Sequence, residues 1–262
     1  MGFSVAILLD SVSESGARLV TYLITAPRFI LPQLSKHRVF SLNTASSRAI
    51  PTEKLIQSVI DDPVIPLSWG SNKSGMQAGP ELTGTLASAS KRRWLDGRDA
   101  AVRVARDLSM FGVHKELTNR VLEPYMWTTI VLSATSFVNF FAQRCHPSTQ
   151  PDHQYVANEM RRLQQFSTPT LRLPGEYHMP LLRVDDAALS DDVKRKVSVA
   201  RCARTSYNNH NGVRSVEDDL QLFNKLVLSD PPHLSPAEHV ATPGDGTGNY
   251  VGWNQLRKQY EY

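Results

Sequence analysis

The chain has few cysteines: Cys145 and Cys202 are its only two among 262 residues. A disulfide framework is excluded, and a reducing cytoplasm is the expected compartment. Metal-ligand spacings are missing too. There is no CxxC or HExxH, and His146 and His153 lack a third ligand, so no zinc site is expected. The start, MGFSVAILLDSVSESG, has no basic stretch and Asp10 interrupts its apolar run, so it does not read as a signal peptide. Residues 124–143 carry no charge, but Thr128, Thr129, Ser133, Thr135, Ser136 and Asn139 make them too polar for a membrane span. There is no internal repeat. Hydrophobic residues at 41% and charged residues at 21% exclude a disordered chain, a collagen or a coiled coil. The net charge of +4 is mild and favours anionic partners without choosing among them.

The sharpest absence is local. From Ser15 to Thr52 there is no Asp or Glu, while Arg18, Arg28, Lys36, Arg38 and Arg48 are all present. Its densest part runs from Gln33 through Lys36, His37, Arg38, Asn43, Thr44, Ser46 and Ser47 to Arg48. Cations with interleaved hydroxyls and no competing carboxylate suit a phosphate, because Arg offers a planar fork and Ser further donors. The same composition also suits a solvated basic loop.

Val5–Leu9 and Leu19–Thr25 are short, apolar and β-branched, with a turn-rich link, and predict a hairpin. Pro27 and Pro32 bracket a segment that cannot be a central strand. Residues 61–90 open with Pro, Gly, Ser and Asn and predict a long irregular loop. Ala101, Val104, Ala105, Leu108 and Phe111 share a helical face, and Glu116–Leu122 is helical up to Pro124. Met126–Gln143, apolar nearly all round, predicts a central buried helix. Val156, Met160, Leu163 and Phe166 mark another helix. Asp191–Ala203 and Val216–Val227 mark two more. One α+β domain over residues 1–262, with a small sheet and a helical layer, is the expected architecture.

Other stretches could carry chemistry. His233, Ser235, Pro236, Glu238 and His239 read first as a capped helix start, with Ser235 as cap, which leaves both histidines unexplained. Arg144 follows a long uncharged run from Asn139 and reads as a helix C-terminal cation or as an arginine aimed into a cleft. Cys145 and His146 are adjacent and point apart on a helix, which weakens a thiolate–base pair. Gly244–Gly248 reads as a turn. Lys91–Trp94 reads as a solvated face or a nucleic-acid patch.

Together these segments resemble the flavin-dependent thymidylate synthases. That family carries Arg-His-Arg, seven residues, then Ser; here Lys36-His37-Arg38 is followed after seven residues by Ser46. Gln33 in the lead-in and Ser47-Arg48 beyond also fit. Arg120 and Asn139…Arg144 resemble later nucleotide and flavin contacts. Val199–Tyr207 and His233–His239 look like segments that normally come first. Here they come last, so the chain looks circularly permuted: 15–166 resembles the family's second half, 195–242 its first, and 243–262 is a tail. Lys36 replaces an Arg, Thr44 stands where Glu is usual, and Ser148 where His is common.

The resemblance implies an α/β/α homotetramer with active sites shared between subunits. It implies FAD as cofactor, NADPH as reductant, methylenetetrahydrofolate as one-carbon donor and dUMP as substrate. Arg144 and Ser46 would be catalytic. Gln33, Thr44, Ser46, Ser47, Arg48, Arg120 and Arg144 would bind the nucleotide. Lys36, His37, Arg38, Asn43, Asn139, Ser206, His233, Ser235 and Glu238 would contact FAD. A homologue in which water traps the one-carbon unit would instead hydroxymethylate dUMP or dCMP for modified bacteriophage DNA. A basic nucleic-acid-binding protein is the reading from another class.

Overall fold

The computed structural model describes residues 2–205 and 215–261. Its centre is a five-stranded sheet in the order β3-β4-β2-β1-β5. Strands β1 (Ser4–Ser13) and β2 (Arg18–Pro27) form the expected hairpin, antiparallel, with a bulge between Ile7 and Leu9. Both strands extend past their apolar cores, because Ser13 and Ala17 close the turn through Ser13 N–H to Ala17 O at 2.9 Å. Strand β3 (Ser41–Thr44) pairs antiparallel with β4 (Trp127–Ala134), and β4 pairs antiparallel with β2. Strand β5 (Thr170–Arg172) lies parallel to β1.

β4 corrects the helix expected over 126–143. Residues 127–134 are a central strand, and only Val138–Arg144 is helical (α5). A strand buried on both faces has no alternation to show, so its apolar run imitates a buried helix. The β-branched Thr128-Thr129-Ile130-Val131 stretch favours the pleated form.

The two faces of the sheet differ. On one, Val20, Tyr22 and Ile24 of β2 and Ile130, Leu132 and Ala134 of β4 pack on Phe137 and Phe140. Val156, Ala157 and Met160 of the next helix, α6 (Pro151–Phe166), complete that core. Each such side chain contributes about 1.5–3 kcal/mol on burial. The Leu163 and Phe166 end of the α6 stripe runs out of the core, and Phe166 is exposed.

The other face carries a buried hydrogen-bonded chain. Ser11 Oγ lies 2.9 Å from His178 Nδ1, and His178 Nε2 2.7 Å from Thr21 Oγ1. Thr21 then meets Ser133 at 2.6 Å, Ser133 meets His239 Nδ1 at 2.8 Å, and His239 Nε2 lies 3.2 Å from Asn43 Oδ1. Asn43 Oδ1 can only accept, so His239 donates from Nε2 and accepts at Nδ1. The donors then all run one way, from Ser11 to Asn43, with both imidazoles neutral. Burial holds His178 and His239 at about 3, well below the usual 6.5.

Helices flank this frame. α1 (Leu31–Leu34) follows β2 after the 3₁₀ turn Arg28–Ile30; α2 (Thr52–Asp61), α3 (Gly84–Met110) and the 3₁₀ segment Asn119–Tyr125 share a second core. A short turn, α4 (Lys115–Thr118), links α3 to that segment. Irregular chain runs from 62 to 83 only, because α3 begins at Gly84, inside the expected loop. α3 turns Val102 and Ala105 inward, whereas Val104 and Phe111 of the expected stripe are exposed. α7 (Asp191–Arg204) and α8 (Val216–Val227) match their expected spans. They are tied by buried Arg201, whose Nε donates to Asp219 at 2.9 Å and whose Nη2 donates to Asp186 at 3.0 Å.

Ser235–His239 is a 3₁₀ turn whose cap position is Leu234, with no side-chain cap bond, so the expected capping box does not form. Glu238 pairs with Arg257 instead. Strands β6 (Ala241–Pro243) and β7 (Trp253–Gln255) make a second, two-stranded sheet, so the Gly244–Gly248 turn does have a strand before it. Among the described residues no helix is long and apolar enough to cross a membrane, and no cluster of His, Cys, Asp and Glu could hold a metal.

Candidate active site

One group of site residues meets where α1 faces the α5–α6 corner. β2 ends at Pro27, and Pro32 sits in the first turn of α1, which fixes the chain entering Gln33, Lys36 and His37. Arg144 is the last residue of α5, and its Nε donates to His37 Nε2 at 3.0 Å. A guanidinium is always a donor, so His37 accepts with a bare Nε2 and is neutral. Burial first, and Arg144 second, hold His37 below its usual value. Its ring packs edge-on to Phe140 at 4.9 Å.

Gln33 is held at both ends of its amide. Nε2 donates to Gln150 at 2.5 Å, and Oε1 lies 3.3 Å from His153 Nδ1. If His153 donates from Nδ1, its Nε2 is a bare lone pair; that atom is buried and has no hydrogen-bond partner. Burial, then Arg144 and His37, hold His153 at about 3. In the sequence His153 reads only as a histidine without enough partners for a metal, because its nearness to Gln33, His37 and Arg144 is tertiary and leaves no spacing signal.

Gln33, Lys36, Arg144 and Gln150 border an open cleft of about 1150 Å³ between α1, residues 142–151 and residues 68–79. Lys36, Lys73 and Arg144 line it, and no Asp or Glu does. Arg38 and Asn139 are exposed nearby in sequence, on the turn after α1 and the first turn of α5. Cys145 is half-buried, and burial raises its thiol, which disfavours a thiolate there.

A second group surrounds the end of β3. Thr44 ends the strand, half-buried Ser46 precedes a 3₁₀ turn, and buried Ser47 donates to Glu123 Oε1 at 2.7 Å. Arg120 Nη1 reaches the same oxygen at 2.9 Å, and Arg28 Nη2 lies 3.6 Å away. Arg28 also donates to Ala45 O at 2.9 Å. Arg48 is exposed and pairs with Glu116 at 3.3 Å. Buried Asn119 holds the Ser47 and Ile50 carbonyls at 2.7 and 2.9 Å. Arg28 and Glu123 belong to this group without being site candidates in the sequence; Arg28 is marked there only by lying in the acid-free run, and Glu123 by nothing.

The remaining expected contacts scatter. Asn43 is buried in the hydrogen-bonded chain under the sheet, and Glu238 is engaged by Arg257. Exposed His233 lies 3.4 Å from Ser235 Oγ. Ser206 lies outside the described residues.

The model of the thymidylate synthase complementing protein family matches residues 17–170, a span that holds both groups. The chain belongs to that family, the flavin-dependent thymidylate synthases, and is a thymidylate synthase-like enzyme. Among solved structures it is similar to the UMP/dUMP methylase PolB from Streptomyces cacaoi bound with 5-Br dUMP, at 16% identity and a TM-score of 0.49. That likeness covers 62% of this chain and 89% of the other. The same methylase bound with 5-Br UMP gives 17% identity and a TM-score of 0.48, over 62% and 88% of the two chains. No curated protein sequence matches the chain.

Proposed function

We propose that the chain methylates dUMP to dTMP, with methylenetetrahydrofolate as one-carbon donor, NADPH as reductant and FAD as cofactor. The observation that carries this reading is the acid-free cleft holding Arg144. All four of these ligands are anionic and need such a place, and no carboxylate competes for them there.

The residues present fit a flavin dinucleotide in part. Lys36 and Arg38 flank His37, are exposed, and pair with no described carboxylate, so they are free to hold a diphosphate. His233 and Asn139 are exposed as well, and Ser235 is half-buried beside His233. Asn43 and Glu238 are already engaged and would shape the pocket from behind. When bound, FAD supplies the hydride that completes the methyl group.

The chain's own residues do the rest. Gln33, its amide fixed by Gln150 and His153, orients the pyrimidine. His37 accepts from Arg144 Nε, which leaves the Nη donors for the charge that develops on the pyrimidine carbonyl edge. Arg48, Arg120, Ser46, Ser47 and Thr44 hold the nucleotide phosphate, which must then share Arg120 with Glu123.

We further read the chain as one domain in permuted order, working as a homotetramer with shared sites. The segment ending near 242 meets the region beginning at Ala17. Ala241 and Trp253 pack on Leu19, and Trp253 Nε1 donates to Ala17 O at 3.0 Å.

The test is the visible spectrum of the purified protein, recorded alone, with FAD, and then with dUMP or dCMP. A flavin spectrum perturbed by dUMP, with a turnover product of dTMP mass, supports the reading. A hydroxymethylated product moves it to the hydroxymethylase. A protein that stays colourless with FAD and binds DNA with steep salt dependence overturns it.

A further inference from the structure

The irregular segment before α3 is tightly built at its base. Glu81 accepts from Trp69 N–H at 2.8 Å and from the Ser68 hydroxyl. Across the stem, Ser71 N–H donates to Pro80 O at 2.8 Å and Gly79 N–H to Ser71 O at 2.7 Å. The two arms touch so closely that a side chain would not fit. A Cβ on Gly70 would lie 2.5 Å from Ala78 Cβ, and one on Gly79 would lie 2.4 Å from Ser71 Oγ. The stem is anchored as well: Trp69 packs on Trp94 at 6.2 Å, and Leu67 N–H donates to buried Asp152 at 3.2 Å.

Only the tip is free. Asn72 to Ala78 are all exposed, and Lys73 to Ala78 line the same cleft as Lys36 and Arg144. Lys73 thus lines the cleft together with two further cations and no carboxylate. Cations sharing one cleft favour an anion there. Exposed Met76 lines the same cleft and offers apolar surface to whatever the anion is attached to.

We propose that the 68–81 loop is a binding element of the cleft, with Lys73 contacting a phosphoryl group of an anionic ligand bound beside Lys36 and Arg144. The phosphoryl group would be the diphosphate of a flavin dinucleotide, or the monophosphate of a pyrimidine nucleotide should that phosphate lie at the cleft and not at Arg48 and Arg120. Which ligand is meant rests on the function proposed above; phosphoryl binding at Lys73 does not.

Calorimetry with pyrophosphate, and spectroscopic titrations with FAD, riboflavin and dUMP, test it on the wild type, on Lys73→Ala and on Gly79→Val. Lys73 is exposed, so Lys73→Ala keeps the fold, checked by circular dichroism. The expected result is pyrophosphate binding weakened about tenfold by Lys73→Ala, as for one lost charge-assisted contact. Riboflavin binding should not change. Weakened FAD assigns the diphosphate; weakened dUMP assigns the monophosphate. Gly79→Val should weaken the same ligand with Lys73 in place, by opening the stem. No pyrophosphate binding by the wild type, or equal binding by Lys73→Ala, overturns the proposal. Unchanged FAD and dUMP binding by Lys73→Ala sinks this inference alone. Lys73-dependent pyrophosphate binding without any flavin or nucleotide binding sinks the function alone.

Discussion

The two groups of cations in this chain are built in opposite ways. Around the end of β3, Arg28, Arg48 and Arg120 each lie beside a carboxylate: Glu123 for Arg28 and Arg120, Glu116 for Arg48. At the cleft, Lys36, Lys73 and Arg144 pair with no described carboxylate, and Arg144 is steadied by a neutral histidine instead. A paired guanidinium has spent much of its field on its partner, so an incoming anion must compete. An unpaired one keeps its field, at a cost in self-repulsion until a ligand arrives. An anion at the β3 group must therefore displace or share with a carboxylate, whereas one at the cleft meets no such rival.

Acid should produce the largest effect, acting through one histidine beside the cleft and two in the buried chain under the sheet. His153, His178 and His239 have folded values of about 3, below the usual 6.5. The unfolded chain takes up protons that the folded one refuses. Stability is complete above about 6.5 and is lost as pH falls toward 3, by about 1.4 kcal/mol per pH unit for each histidine. Urea unfolding at pH 7 and pH 5 measures this, and equal midpoints would refute it. Next comes Arg144→Ala, which removes the cleft's central donor. It should lower kcat about 10²–10³-fold, as loss of one preorganised donor does, with flavin absorbance retained. Full turnover by this variant would sink the assignment of Arg144 to the pyrimidine.

Glu123→Gln tests the paired side. It keeps an oxygen for Ser47 but leaves half-buried Arg28 without its counter-charge. Loss of about 1–3 kcal/mol of stability is expected, read from urea unfolding. Because Arg120 is freed at the same time, dUMP should bind more tightly, not less. Weaker dUMP binding would mean that Glu123 positions the arginines and does not compete with the phosphate.

The residues that were legible beforehand are those whose signal is local. The α7 and α8 spans came from periodicity, and the β1–β2 hairpin from two apolar runs around a turn. Lys36 and His37 belong to a spaced motif, and Gln33 and Arg144 follow from the family resemblance; the structure sets Gln33, Lys36 and Arg144 along one cleft with His37 bonded to Arg144. What was not legible depends on partners far along the chain. β4 reads as a helix because both its faces are covered. Ser235 and Glu238 have the spacing of a capping box, but Arg257 takes the carboxylate. His153, Arg28 and Glu123 acquire their meaning only from residues brought in by other elements. Asn43 looked like a ligand contact in a polar run, and the sheet turns it inward to His239.

The smallest effect expected separates exposed pairing from buried pairing within the β3 group itself. Arg48 and Glu116 are each more than half exposed, with side chains at 58% and 55%. Water screens such a pair, and it contributes about 0–1 kcal/mol. Arg48→Ala should therefore leave the urea midpoint nearly unchanged, unlike Glu123→Gln. If Arg48 holds the nucleotide phosphate, the same change should raise the Kd for dUMP severalfold. kcat at saturating dUMP should stay nearly constant, because a phosphate contact persists from ground state to transition state. Glu116→Gln supplies the control: it frees Arg48 without removing it, so dUMP should bind as tightly as before or slightly more so. If Arg48→Ala and Glu116→Gln both leave the Kd for dUMP unchanged, Arg48 is a surface cation and the phosphate lies with Arg120 or at the cleft.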